Sequence, residues 1–166
     1  MNLVLIEAKK LKDNNYLIIN LKSKYFSIID IMKDYTEILR SYNLKATPQR
    51  LVIIESIDKY GHINVDTLYA EVKSKFNSIS LATIYKNINS MINNMLLLEV
   101  KIPNEKSVYE ITKDQHSHLV CKGCGEVIDI KIDTTRIVDC ISDDYKFSID
   151  KSDLVFSGYC ESCREK

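Results

Sequence analysis

The sequence predicts an α+β chain: a winged helix-turn-helix over residues 32–112, then a small α/β domain over residues 113–166. Three observations predict it. Capped, helically periodic segments fill residues 33–94, and two β-like segments follow them. Beyond about residue 112 the pattern changes to short strands around one helix. The last third also carries two Cys-x-x-Cys pairs, Cys121/Cys124 and Cys160/Cys163.

The helices follow from their start and stop signals. Residues 33–43 read as a short helix. Thr47 then caps and Pro48 takes the first helical position of a second helix, which Tyr60-Gly61 ends. A third helix runs from Val65 to Lys75 with Leu68, Tyr69 and Val72 inward. Ser80 caps a fourth, Leu81 to about Asn94, with Ile84, Ile88, Met91 and Ile92 as its buried stripe. Strands are expected at Leu96–Ile102 and Lys106–Thr112, parted by the Pro103-Asn104-Glu105 turn. In the second half, 116–122, 126–132 and 146–158 read as strands and 134–144 as a helix. Residues 1–31 fit neither part; a small hairpin of Tyr16–Leu21 and Tyr25–Ile31 is expected there. Met32 begins a segment resembling a natural start. Residues 1–31 are therefore expected to be a dispensable extension, or an artefact of an early start.

Net charge is zero but unevenly placed. Residues 1–31 hold five basic and three acidic side chains, 32–102 nine and seven, and 103–166 nine and thirteen. That arrangement suits a mildly basic part facing a polyanion and an acidic part holding cations. No apolar run is long enough to span a membrane. The first residues lack the basic-then-apolar order of a secretory signal, so a cytoplasmic location is expected. In a reducing compartment paired cysteines act as metal ligands in preference to disulfides. Four thiolates suit tetrahedral Zn(II), and filling all four positions makes the site structural. The gap between the pairs exceeds ordinary zinc-ribbon spacing, so the site joins distant strands. Cys140, within Ile137-Val138-Asp139-Cys140-Ile141, reads as a small buried hydrophobe.

A second constellation gathers all three histidines. His116 and His118 lie two apart and leave one face of a strand, with Ser117 and Cys121 on the other. Asp129 lies on the next strand, Glu110 on the preceding one, and His62 between the second and third helices. Nitrogen and oxygen donors suit Fe(II), Mn(II) or Zn(II). The fourth helix presents Ser80, Thr83, Tyr85 and Lys86 outward, with no acidic residue from Ser80 to Asn94. Such a face can enter a major groove without repelling phosphate.

Taken together, these residues resemble the ferric uptake regulator family, which includes iron-, zinc- and peroxide-responsive repressors. The carrying motifs are Leu44-Lys45-Ala46-Thr47-Pro48-Gln49-Arg50, Ile79-Ser80-Leu81-Ala82-Thr83-Ile84-Tyr85-Lys86-Asn87, His116-Ser117-His118-Leu119-Val120-Cys121 and both cysteine pairs, within about residues 33–164. The resemblance implies a homodimeric repressor of palindromic double-stranded DNA, with an N-terminal winged helix and a C-terminal dimerisation domain. By position it assigns Cys121, Cys124, Cys160 and Cys163 to structural Zn(II). It assigns His62, Glu110, His116, His118 and Asp129 to a regulatory Fe(II) or Mn(II). Lys45 falls where relatives reach the minor groove and Tyr85 where they read bases; Arg50, Ser80, Thr83 and Lys86 complete the expected DNA contacts. A further metal site of many members falls on Gln115, Ser117 and Arg136, none a good ligand, so that site is expected to be absent. Position 129 is aspartate, as in peroxide sensors, whereas Glu110 points to iron sensors.

The leading expectation is a peroxide-responsive repressor acting through Fe(II)-catalysed oxidation of a histidine ligand, with iron sensing by occupancy as the alternative. An enzyme is not expected. A metalloenzyme built on His116, His118 and a carboxylate is the remote reading: no residue stands out as a general base, and it leaves the winged helix unexplained.

Overall fold

The computed structural model describes the backbone at residues 6–10, 15–20 and 32, and backbone and side chains at 33–164. The chain folds as two compact units, Met1–Glu99 with Tyr109–Ile111, and Val100–Val108 with Thr112–Lys166.

In the first unit, β1 (Ile6–Lys10), β2 (Asn15–Asn20) and β3 (Met32–Lys33) form an antiparallel sheet in that order. The expected partner of the second strand, at 25–31, lies outside the described residues. Among the described residues Asn15–Asn20 pairs with Ile6–Lys10, in the register Ile6↔Asn20, and with Met32–Lys33. Periodicity over 1–31 is too weak to choose a partner strand.

Helix α1 (Tyr35–Ser41) starts at Asp34, whose Oδ1 accepts from the Thr36 and Glu37 N–H groups. Thr47 caps α2 (Pro48–Tyr60), and Gly61 ends it at φ 70°, a left-handed value that glycine takes without strain. After β4 (Ile63–Asn64), the Asn64 side chain caps α3 (Val65–Lys75), and Ser80 caps α4 (Leu81–Asn93). Strands β5 (Leu97–Val100) and β6 (Val108–Ile111) complete a sheet in the order β4-β6-β5. The core beneath is continuous: Leu39, Ile53, Ile54, Ile57, Leu68, Val72, Ile84, Ile88 and Met91 are fully buried. Burying each such side chain stabilises the unit by roughly 1.5–3 kcal/mol before entropic costs. The result is the winged helix-turn-helix, with α4 seated on the core through Ile84, Ile88 and Met91.

The second unit has much less apolar material. Strands β7 (Ser117–Cys121), β8 (Val127–Ile130) and β9 (Val155–Gly158) form a sheet in the order β8-β7-β9, antiparallel on one side and parallel on the other. Helices α5 (Thr135–Tyr145) and α6 (Glu161–Arg164) complete it. Its buried cluster is Val100, Ile102, Val108 and Val120, with Val127 and Val155 packed against it. A core this small calls for a staple.

Two expectations fail here. The strand read over 146–158 is confined to Val155–Gly158, because Lys146 turns left-handed at φ 52° and caps α5. Cys140 is exposed, its thiol donating to Asp144 Oδ2 at 3.4 Å. The apolar residues flanking it, Ile137 and Ile141, are 52% and 42% exposed, and no residue of α5 is buried.

Candidate metal centres and nucleic-acid interface

The four-cysteine cluster is built from two strand ends. Strand β7 runs into Cys121 and turns back through Gly125, whose N–H donates to the Cys121 carbonyl at 2.8 Å and whose φ is +75°. The parallel register of β7 and β9 sets Cys121 beside Gly158, and the Lys122 N–H donates to the Gly158 carbonyl at 2.8 Å. That brings the second pair alongside the first: the Cys160 N–H donates to Cys121 Sγ at 3.3 Å. All four Sγ atoms lie within 4.8 Å of one another, and Cys124 Sγ is 3.9 Å from Cys160 Sγ. Bonds of about 2.3 Å to tetrahedral zinc require sulfur–sulfur edges of about 3.8 Å. The Cys124–Cys160 edge of 3.9 Å matches this, and the other edges, all within 4.8 Å, would close by at most about 1 Å.

Backbone donors, first among them the Cys160 N–H, pull the Cys121 thiol down to about 6. The neighbouring Cys160 sulfur pushes Cys163 up to about 12. Thiols crowded together resist ionising together, and a dication at their centre reverses that preference. Gly123 is required by close approach: a Cβ there would lie 2.7 Å from Cys163 Cβ.

The five expected nitrogen and oxygen donors fall into two groups, one in each unit. In the second unit, the β7/β8 register places His118 opposite Asp129. His116 precedes β7 by one residue, with its ring centroid 4.6 Å from that of His118. Both imidazoles turn Nε2 toward one oxygen: Asp129 Oδ1 is 3.5 Å from His116 Nε2 and 3.6 Å from His118 Nε2. His116 Nδ1 lies 2.7 Å from the Asp114 carbonyl, which can only accept, so Nδ1 carries a proton. In the neutral ring Nε2 is then the lone-pair nitrogen, the form that binds metal. The other oxygen of Asp129, Oδ2, holds the Lys113 ammonium.

In the first unit, His62 follows the Gly61 turn and enters β4. Its Nε2 is 3.5 Å from Glu110 Oε2 on the neighbouring β6. Glu110 is 0% exposed and the His62 side chain 10%. A fully buried carboxylate is costly without a cationic or hydrogen-bonding partner, so this pair is not an incidental surface contact.

The expected DNA-contact residues divide by what already holds them. Lys45, Tyr85 and Lys86 are exposed. Ser80 Oγ accepts the Thr83 N–H at 3.1 Å and lies 2.8 Å from Thr83 Oγ1, so both hydroxyls sit at the α4 cap. Arg50 is half-buried and braces α2 against α4. Its guanidinium donates to Asn87 Oδ1 at 3.2 Å, to Ser90 Oγ at 3.0 Å and to the Lys45 carbonyl at 3.1 Å. Gln115 Nε2 donates to the Ser152 carbonyl and hydroxyl, and Arg136 is exposed. Among the described residues, no helix is long and apolar enough to cross a membrane.

A helix-turn-helix carried with a four-cysteine cluster and a His/Asp trio defines a metal-binding DNA-binding regulator. The model of the ferric uptake regulator family matches residues 41–157, and the chain belongs to that family. It is 31% identical to the ferric uptake regulation protein of Bacillus subtilis over 135 residues, covering 77% of this chain and 91% of that protein. Among solved structures, the Vibrio cholerae ferric uptake regulator matches with a TM-score of 0.64 and 30% identity, covering 76% of this chain and 100% of that one. The Campylobacter jejuni peroxide stress regulator matches with a TM-score of 0.58 and 30% identity, over 78% and 99%. The protein is a metal-dependent transcriptional regulator. These iron-type and peroxide-type structures stand at equal identity, so overall similarity does not choose between them.

Proposed function

We propose that this regulator is a homodimeric repressor of a palindromic operator, gated by Fe(II) or Mn(II) and inactivated by hydrogen peroxide. The DNA-binding domain is residues 32–112, the dimerisation and metal-binding domain residues 113–166, and residues 1–31 a dispensable extension. Cys121, Cys124, Cys160 and Cys163 hold structural Zn(II). His62, Glu110, His116, His118 and Asp129 together hold the regulatory metal, three neutral rings and two carboxylates balancing a dication. Lys45, Tyr85 and Lys86 contact DNA directly, while Arg50, Ser80 and Thr83 fix the pose of α4 and add polar contacts at its base.

In this reading the first domain contributes His62 and Glu110 and the second the other three donors. Metal binding therefore favours the arrangement in which both sets converge, by no more than its differential affinity for that arrangement. Two recognition helices then match two half-sites. The apolar stripe of α5, Ile137, Ile141 and Tyr145, supports the homodimer, because an exposed apolar row of this kind ordinarily meets a partner.

The observation that supports the peroxide reading is aspartate at position 129, as the resemblance to peroxide sensors implies, with its Oδ1 3.5 Å from His116 Nε2 and 3.6 Å from His118 Nε2. Ferrous iron supplies one-electron reduction of peroxide beside its ligands. In net terms one peroxide gives one oxygen atom to a ring carbon of His62 or His116 and leaves as water, a two-electron oxidation of the imidazole by peroxide. The oxidised ring loses donor strength, and the DNA complex is released. Iron sensing by occupancy is the second reading, favoured by glutamate at position 110, as the resemblance to iron sensors implies. Exposing Fe(II)-loaded protein to peroxide without air separates the two. A mass gain of one oxygen on the His62 or His116 peptide, with loss of DNA binding, is expected. Unmodified peptides with DNA binding kept would leave occupancy sensing as the function.

A further inference from the structure

The Asp129 carboxylate is divided between two kinds of partner. Its Oδ1 faces the Nε2 atoms of His116 and His118, and its Oδ2 is taken by the ammonium of Lys113. Lys113 stands three residues before His116, in the segment that leads into β7, and Asp129 is fixed on β8 opposite His118. The ion pair is about two-fifths exposed on both sides, so it is hydrated and screened but still local to the histidines.

An ammonium on one oxygen has two consequences for a carboxylate that serves a metal. It fixes the plane of the group, so that one oxygen is presented and the other is engaged. It also places a positive charge beside a centre that must receive a dication, which opposes the incoming charge. A carboxylate free of such a neighbour can turn and offer both oxygens, the bidentate mode common for these ligands.

We infer that Lys113 is a positioning residue of the regulatory centre: it confines Asp129 to a single donor oxygen and weakens the hold on the metal. The inference rests on the proposed role of Asp129 and the two histidines as metal donors, and it concerns this chain's own lysine. A weaker hold keeps the metal in exchange with its surroundings, which a sensor needs and a structural site does not. The zinc cluster is built differently, with Cys121 Sγ held by the Cys160 N–H and the sulfurs packed against one another.

The test uses full-length protein with its zinc in place, titrated with Mn(II) while free Mn(II) is followed by its paramagnetic resonance signal. Lys113→Met keeps much of the side chain's apolar bulk and removes the charge. It is expected to bind Mn(II) about tenfold more tightly, with the gap narrowing as salt rises. Lys113→Arg restores a cation and moves affinity back toward the wild-type value. In an Asp129→Ala background the Lys113→Met gain shrinks to the salt-screened part that the charge exerts directly on the metal, because the remainder acts through that carboxylate. Equal or weaker Mn(II) binding by Lys113→Met overturns the inference, as does a gain of undiminished size at high salt without Asp129. If His118→Ala and Asp129→Ala each bind Mn(II) like the wild type, the donor assignment fails and the role of Lys113 falls with it. If both lose affinity while Lys113→Met changes nothing, the inference about Lys113 alone is wrong.

Discussion

Replacing Gly123 by alanine adds one methyl group to the turn between the first two zinc cysteines. The ideal Cβ would sit 2.7 Å from Cys163 Cβ and 2.8 Å from Cys163 Sγ. Ordinary carbon contacts begin at about 3.5 Å, so Cys163 must retreat by roughly 0.7–0.8 Å. It cannot do so freely, because its N–H is bonded to the Cys160 carbonyl at 3.0 Å and its sulfur belongs to the cluster. Zinc–sulfur distances tolerate deviations of only about 0.2 Å, so the displacement falls on the metal bonds. Overpacking of this kind costs about 1–3 kcal/mol, which corresponds to roughly fivefold to 150-fold weaker zinc binding. The assay is competition for zinc against a chromogenic chelator, paired with a thermal melt. Gly158→Ala is the matched control, since nothing lies within 4 Å of a Cβ there. Zinc affinity and melting point unchanged in Gly123→Ala, or lowered equally in Gly158→Ala, would refute the reasoning.

Four further outcomes are expected. Cys121→Ser or Cys160→Ser should lose zinc and unfold or monomerise the second unit, as seen by light scattering, because structural zinc contributes on the order of 10 kcal/mol. Ile141→Asp places a charge on the exposed stripe of α5 and should shift a dimer toward monomer in sedimentation, leaving the zinc content intact. Arg50→Ala removes three hydrogen bonds between α2, the preceding loop and α4 and should lower stability by about 1–3 kcal/mol in a denaturant melt. Lys86→Ala should leave stability unchanged and reduce the salt dependence of DNA affinity by about one phosphate contact.

Much of the helical half is legible because its boundaries are written in local chemistry. Thr47-Pro48 and Ser80 each mark a helix start with a side-chain oxygen, and Gly61 marks an end with a conformation other residues resist, whereas the Asn64 cap of α3 emerges only in the structure. The cysteine pairs and the His116/His118 spacing are legible for a similar reason, since ligand geometry constrains spacing. What fails depends on surroundings outside the local pattern. Cys140 reads as buried from its apolar neighbours, yet α5 turns that stripe outward. Residues 146–154 look β-like, but the left-handed Lys146 redirects the chain before β9. Lys113 carries no signal at all: the role inferred for it depends on a carboxylate sixteen residues away on β8.

The most direct test of metal-gated DNA binding is selection of random duplexes by full-length protein with Mn(II), repeated with chelator and with His118→Ala. A palindromic sequence enriched only by the wild type with Mn(II) is predicted. The same enrichment with chelator, or with His118→Ala, would contradict it.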